Sequence, residues 1–219
     1  MAAPAKLFDM LAVIDRSFEP PAGNLAHDDT LLAAESEILR LWESPSYFVA
    51  LGRSGKAGEE VRPEAAVPIL RRSSGGGTVL QGPGCFNFSL ILSLHRRPEL
   101  LNVSASYCVL LKAVAAALGV PGSTVAGSDI LIDGRKVSGN AQRRTRGWLL
   151  HHGTLLYAMD LPLIERLLPE PSRQPAHRNG RLHRDFLANL PLSAPEIRHR
   201  LTTRLDAHLT TTARRAILA

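Results

Sequence analysis

The spacing of apolar residues along the chain switches between the strand and helix periods. Residues 7–14 form a short apolar run that reads as a first strand. Leu25, Leu31, Leu32, Ile38 and Leu41 recur at helical spacing, which predicts a helix over 25–41 with Asn24 as its N-cap. Residues 47–51 and 69–72 are short strands, and 85–94 alternates in the manner of a central strand. A helix is predicted over 104–118, ending at Gly119, a residue that stops helices by adopting the left-handed conformation. Asp133-Gly134 is a strong two-residue turn signal and predicts a hairpin over 130–137. A strand over 148–157, a short helix over 162–168 and a closing helix over 194–209, within a helical segment of about 193–217, complete the pattern. Residues 169–180, rich in proline and polar side chains, read as an exposed loop. Hairpin-linked strands interleaved with helices predict an α/β (α+β) domain over residues 1–219, its sheet mixed but mostly antiparallel and flanked by helices.

Composition narrows the classes. At 219 residues and 45% apolar content the chain can bury one substantial core. A formal charge of +6 and a pI near 9.9 make nucleic acid the first partner to consider. Aromatics are 5%, however, and no basic–aromatic stripe appears. The arginines gather at Arg143, Arg144 and Arg146 and again in 173–184 and 198–204, so a solvated basic face is favoured and no nucleic-acid partner is expected. Cys85 and Cys108 offer neither metal spacing nor a disulfide framework, which points to a reducing compartment. The N-terminal apolar stretch is interrupted by Asp9 and reads better as a strand than as a signal peptide, while 107–120 contains Lys112 and is too short to cross a bilayer. These features predict a cytoplasmic protein with no membrane role.

The densest chemical signal is residues 71–89, RRSSGGGTVLQGPGCFNFS. Gly75, Gly76 and Gly77 can take φ > 0 and let backbone N–H groups converge on an anion, and Arg71 or Arg72 can add a fork for phosphoryl or carboxylate oxygens. No Lys-Ser/Thr follows the glycines as in a P-loop, and the spacing is not that of a dinucleotide fold. Three glycines alone are also what a flexible turn would use, so the flanking residues decide the reading.

Those flanks resemble the hallmark of the lipoate–protein ligase A group within the biotin/lipoate ligase superfamily, an R-R-x-S-G-G-G run entering a strand. Residues 128–156, SDILIDGRKVSGNAQRRTRGWLLHHGTLL, are similar to the second signature of that family, and 24–32 with 41–53 resemble its N-L-A…L-W…G-R segment. The segments occur in family order, and the resemblance covers roughly residues 7–168. It implies the fold shared by biotin protein ligases and the catalytic core of class II aminoacyl-tRNA synthetases. It also implies activation of lipoate with ATP and Mg2+ to lipoyl-AMP, then transfer to a lysine of a carrier domain.

Residue by residue, the resemblance implies that Arg72, Ser74, Gly75, Gly76, Gly77, Thr78, Val79, Leu80 and Lys136 contact the nucleotide. Lys136 is also the implied catalytic residue, stabilising charge on the carbonyl and phosphate oxygens; a strand lysine pointing to water is the plainer alternative. Asp129 is implied as a possible Mg2+ ligand, with a turn cap as the alternative. Ser138, Gly139, Ala141, His151 and Gly153 are implied around the acyl chain, although tight strand packing and a hydrogen-bonded structural histidine explain these residue types as well. His151 and His152 are adjacent on a strand and therefore face opposite sides. The implied partners are acidic lipoyl carrier domains of 2-oxoacid dehydrogenases or glycine-cleavage H-type proteins, steered by the basic rim, and a separate chain carrying the accessory domain that many relatives append.

Two departures bear on the activity. Many relatives carry His-Asp shortly after the glycine strand, whereas this chain has Gln81-Gly82-Pro83-Gly84, which resembles the octanoyltransferases of the superfamily. The alternative is therefore an octanoyl or lipoyl transferase drawing on a carrier thioester or preformed lipoyl-AMP. A thioester route needs an activated cysteine, and 120–127 contains none. A non-catalytic binding module is disfavoured by the retention of Arg72, the glycines and Lys136.

Overall fold

The computed structural model describes the backbone of residues 11–217 and the side chains of 11–213. The first predicted strand is present as β1 (Ala12–Asp15), while residues 7–10 lie outside the described residues. Helix α1 spans Ala22–Ala33, and the chain then enters β2 (Ile38–Glu43). The helix predicted over 25–41 is thus corrected: its second half is a strand. Ile38 and Leu41 fit a helical period, but Ile38, Leu39, Arg40, Leu41 and Trp42 are all buried. A strand covered on both faces shows no alternation to betray it. Asn24 is likewise not the cap. It sits inside α1, fully buried, bonding to the backbone N and O of Phe18.

Strands β3 (Phe48–Leu51), β4 (Ile69–Arg71) and β5 (Val79–Gln81) form a small sheet in the order β4-β3-β5, with the four-residue helix α2 (Ala57–Glu60) between β3 and β4. The larger sheet adds β6 (Cys85–Ser93), β7 (Ser123–Ala126), β8 (Asp129–Ile132), β9 (Arg135–Arg144) and β10 (Trp148–Leu156), in the order β1-β2-β6-β10-β9-β8-β7. Only the β1–β2 pair is parallel within it, so the sheet is mixed and mostly antiparallel. The β8–β9 hairpin turns at Asp133 and Gly134, with φ of 49° and 73°, the doubly left-handed geometry that Asp-Gly favours.

Helix α3 (Val103–Leu118) starts where Asn102 Oδ1 accepts from Ala105 N at 2.9 Å and ends at Gly119 with φ 61°. It packs with α6 (Ala194–Ile217) against one face of the large sheet. Every residue of β6 is buried because both faces are covered. Phe86, Phe88, Leu90 and Leu92 join the α3–α6 core. The alternate positions, Cys85, Asn87, Ser89 and Ile91, face the other way, toward α1 and the cavity described below. Between β10 and α6 lie α4 (Leu161–Leu167), a single 3₁₀ turn at Ala176–Arg178, and α5 (His183–Phe186). Among the described residues no helix is long and apolar enough to cross a membrane.

Candidate active site

The second face of the large sheet is roofed by the glycine segment, β5 and the 168–187 stretch, and together they enclose a cavity of about 650 Å³. Gly76, Gly77, Thr78, Val79 and Leu80 form one wall, and Asp129, Lys136, Ser138, Gly139, Ala141 and Gly153 lie on the sheet side. The loop predicted over 169–180 is exposed over much of its length and also lines the cavity, through Pro169, Arg173 and Arg178 among others.

The glycine loop is held open by arginine. Arg72 is 8% exposed and donates from Nη1 to Ala50 O (3.0 Å), from Nη2 to Gly75 O (2.7 Å) and Gly77 O (2.8 Å), and from Nε to Ser74 Oγ (3.0 Å). Burial pulls its pKa down to about 10, which leaves it charged at neutral pH. Most of the donors of this guanidinium, the implied nucleotide contact, go to the loop itself. With those carbonyls pinned, the N–H groups of Gly75, Gly76 and Gly77 make no hydrogen bond to the described residues. Gly76 takes φ 87°, and Gly75 and Gly77 do not enter the left-handed region.

Lys136 stands on β9 at the cavity floor, its Nζ 2.9 Å from Asp129 Oδ1. The other carboxylate oxygen of Asp129 is 2.9 Å from His177 Nε2. A Cβ on Gly139 would lie 2.9 Å from Lys136 Nζ, so that glycine is what lets the lysine lie across the strand. Both oxygens of Asp129, the residue implied as a possible Mg2+ ligand, are partnered by Lys136 and His177 in this structure. Asp129 thus anchors Lys136.

Three predicted contacts do not line the cavity. His151 is fully buried on the helix side of β10, edge-on to Tyr107, with Nδ1 3.2 Å from Gln142 Nε2, and burial lowers its pKa to about 3. Gly75 lies on the outer side of the glycine loop. Ser74 is 1% exposed beneath it. The histidine that reaches the cavity is its neighbour, His152. Its Nδ1 lies 3.2 Å from Asp28 Oδ2 and its Nε2 2.6 Å from Ser74 Oγ. This Ser-His-Asp arrangement is not a nucleophile, because Ser74 does not line the cavity and its Oγ also accepts from Arg72 Nε. It is a tether from the buried Asp28 to the glycine loop. The Asp28 carboxyl, which burial alone would raise, is held below its ordinary value by His152 and Arg40.

Further wall residues were not read from the sequence. Trp42 Nε1, Asn140 Oδ1, Arg178 Nη2 and His183 Nδ1 are buried atoms of cavity-lining residues with no partner among the described residues. Neither Cys85 nor Cys108 lines the cavity. Cys85 is fully buried, its Sγ donating to Gln81 Oε1 at 3.3 Å, and burial pushes its thiol far up.

Comparison with known proteins follows the same geometry. Residues 20–197 match the family model described as the lipoyl protein ligase A/B catalytic domain. A protein of Aeropyrum pernix, named provisionally as a lipoate-protein ligase A, is 33% identical over 159 residues, which are 68% of this chain and 58% of that protein's length. Among solved structures, a bi-partite lipoate protein ligase described with its E2 lipoyl domain from Thermoplasma acidophilum shares the fold with a TM-score of 0.75 at 21% identity. That match covers 94% of this chain and 92% of the other. A lipoate-protein ligase A bound with ATP gives a TM-score of 0.71 at 22% identity, over 94% and 92% of the two chains. At these identities the structural likeness speaks to fold.

Proposed function

The chain belongs to the lipoyl protein ligase A/B catalytic domain family, and from that premise we propose that it is a single catalytic domain that attaches lipoate to a lysine of a lipoyl carrier domain through lipoyl-AMP. The observation that carries the reading is the pairing, across one cavity, of unbonded glycine-loop N–H groups with the Lys136 ammonium. In the first step a lipoate carboxylate oxygen attacks the α-phosphorus of ATP and pyrophosphate leaves. In the second the carrier lysine's neutral amine attacks the acyl carbonyl carbon, AMP leaves and the nitrogen loses a proton. Both steps build negative charge on oxygens, and fixed donors aimed at that charge stabilise the transition state without reorganising. Gly76, Gly77 and Lys136 supply such donors here, and Arg72 preserves them by holding the loop carbonyls. Lys136 is itself aimed by Asp129. Magnesium would enter with the triphosphate, whose oxygens supply ligands of the hard kind it prefers.

The thioester alternative needs a cysteine thiolate at the acyl site, and what speaks against it is that neither Cys85 nor Cys108 lines the cavity. Replacing Cys85 and Cys108 together with Ala is expected to retain ATP-dependent lipoylation, with a loss of about 1–3 kcal/mol of stability at most from the emptied Cys85 position. Mass spectrometry of a lipoyl domain incubated with the protein, lipoate, ATP and magnesium, against octanoyl-carrier protein without ATP, decides between the two. An octanoylated cysteine with ATP-independent modification would establish the transferase.

The glycine loop gives a second check. A side chain at Gly76 must adopt φ 87° and place its Cβ 3.1 Å from Arg72 Nη2. Gly76→Val is therefore expected to weaken binding of a non-hydrolysable lipoyl-AMP analogue roughly tenfold or more, in line with the 1–3 kcal/mol of such backbone strain. Calorimetric titration reads it directly, and unchanged affinity would reduce the loop to a turn.

A further inference from the structure

The basic cluster at Arg143, Arg144 and Arg146 finds no use in the cavity chemistry. Beside it, on the outer side of the glycine loop, lies a second depression of about 520 Å³ lined by Arg53, Ser73, Gly75, Tyr107, Arg143 and Thr145, among others. The two hollows share their walls. Ser73 and Gly75 face the outer one while Gly76 and Gly77 face the cavity, and along β9 Gln142 and Arg143 face the outer one while Asn140 and Ala141 face the cavity. Whatever sits in the depression is thus a residue or two from the wall of the cavity.

The charges there are not all spoken for. Arg144 is committed to Leu100 O, Leu101 O and Ser106 Oγ. Arg143 is half offset by Asp29, whose Oδ1 accepts from Arg143 Nη1 at 2.7 Å and also from Ser73 Oγ. Arg53, which lines the depression, and Arg146, next in sequence to its Thr145, are exposed, and their guanidinium groups make no hydrogen bond or ion pair with the described residues. Leu101 (60% exposed) and Val103 (52% exposed) add apolar surface on the same side, Val103 lining the depression. A basic rim around a small apolar patch suits a protein surface of opposite charge: the patch gives dry contact, and the rim gives orientation and rate.

We propose that this depression docks an acidic face of the carrier domain, setting the acceptor lysine at the edge of the glycine loop. The proposal rests on the carrier being the acyl acceptor, and it adds where that carrier sits. Electrostatic steering of this kind raises association by about 10- to 1,000-fold and falls with salt.

The test is calorimetric titration of an acidic apo lipoyl domain into wild type, Arg53→Glu/Arg146→Glu and Arg53→Lys/Arg146→Lys, at low and moderate salt. Lipoyl-AMP formation and transfer from supplied lipoyl-AMP are followed in parallel. The charge-reversed variant is expected to bind the carrier at least about tenfold more weakly, with most of the salt dependence gone. Lipoyl-AMP formation should be unchanged, and the lysine variant should behave as wild type. Wild-type carrier affinity in the reversed variant, or a matching fall in lipoyl-AMP formation, would overturn the proposal. A wild type that binds the carrier with the expected salt dependence yet transfers nothing would retain the docking surface and remove the proposed function.

Discussion

Lys136→Ala is expected to lower lipoyl-AMP formation and lipoyl transfer by at least about 100-fold, the usual scale for losing one fixed donor to a developing charge. The reason lies in its surroundings. Asp129 fixes the ammonium at 2.9 Å, and Gly139 leaves it room to lie across the strand toward the cavity. Removing the lysine has a structural side as well, because Asp129, 2% exposed, is left with His177 alone. A loss of about 1–3 kcal/mol of stability is expected from that orphaned carboxylate. The variant Lys136→Ala/Asp129→Asn separates the two effects: it should recover stability and remain inactive. Lys136→Arg should also fail, because a planar fork cannot occupy the narrow space over Gly139 that a compact ammonium fills. Pyrophosphate exchange and the mass of a lipoyl domain read the activity, and a chemical melt reads the fold. Full activity in the alanine variant would remove Lys136 from the mechanism.

What was legible in the sequence was written locally. The end of α3 followed from Gly119, which takes the left-handed conformation just past the helix, and the β8–β9 turn from a dipeptide whose positive φ angles only a few residues accept. Lys136 and the glycine loop were found because short motifs carried them. Pairings distant in sequence were not. The His152 link to Asp28 spans 124 positions, and nothing in either segment announces the other. The adjacent histidines showed that one faces each way, yet both faces of β10 are apolar, so alternation could not say which one meets the cavity. The same ambiguity hid β2. Arg72 shows a third limit: the motif marks an arginine at the anion site, and its hydrogen bonds to the glycine-loop carbonyls become visible only in the fold.

Replacing Arg40 with Met should be among the most destabilising single changes, at about 3–5 kcal/mol, because it strands a buried charge. Arg40 and Asp28 are 0% and 2% exposed, with Nη1 and Oδ1 2.5 Å apart. The guanidinium also donates to Asn24 O at 2.8 Å, Asn24 Oδ1 at 3.0 Å and Arg16 O at 3.2 Å, tying α1 to β2 and to the end of β1. Asp28 in turn accepts from Ser89 Oγ on β6 and meets His152 on β10. The pair is therefore the junction from which the glycine loop is tethered, and its loss should loosen the cavity as well as the fold. The depressed pKa of Asp28 sets the sign of the pH response. Its contribution is fully present above the ordinary carboxylate value of 3.8 and is lost as pH falls through the lower folded value. Without Arg40 the carboxyl loses one of the partners that oppose its burial, so acid unfolding of Arg40→Met should begin at a higher pH than in wild type. Arg40→Met combined with Asp28→Leu removes both charges and should regain much of the lost stability, as buried pairs replaced by apolar residues commonly do. Urea titrations at neutral pH and near pH 4 measure all of this. A cost below about 1 kcal/mol for the single variant would show that the junction is not what holds α1 to the sheet.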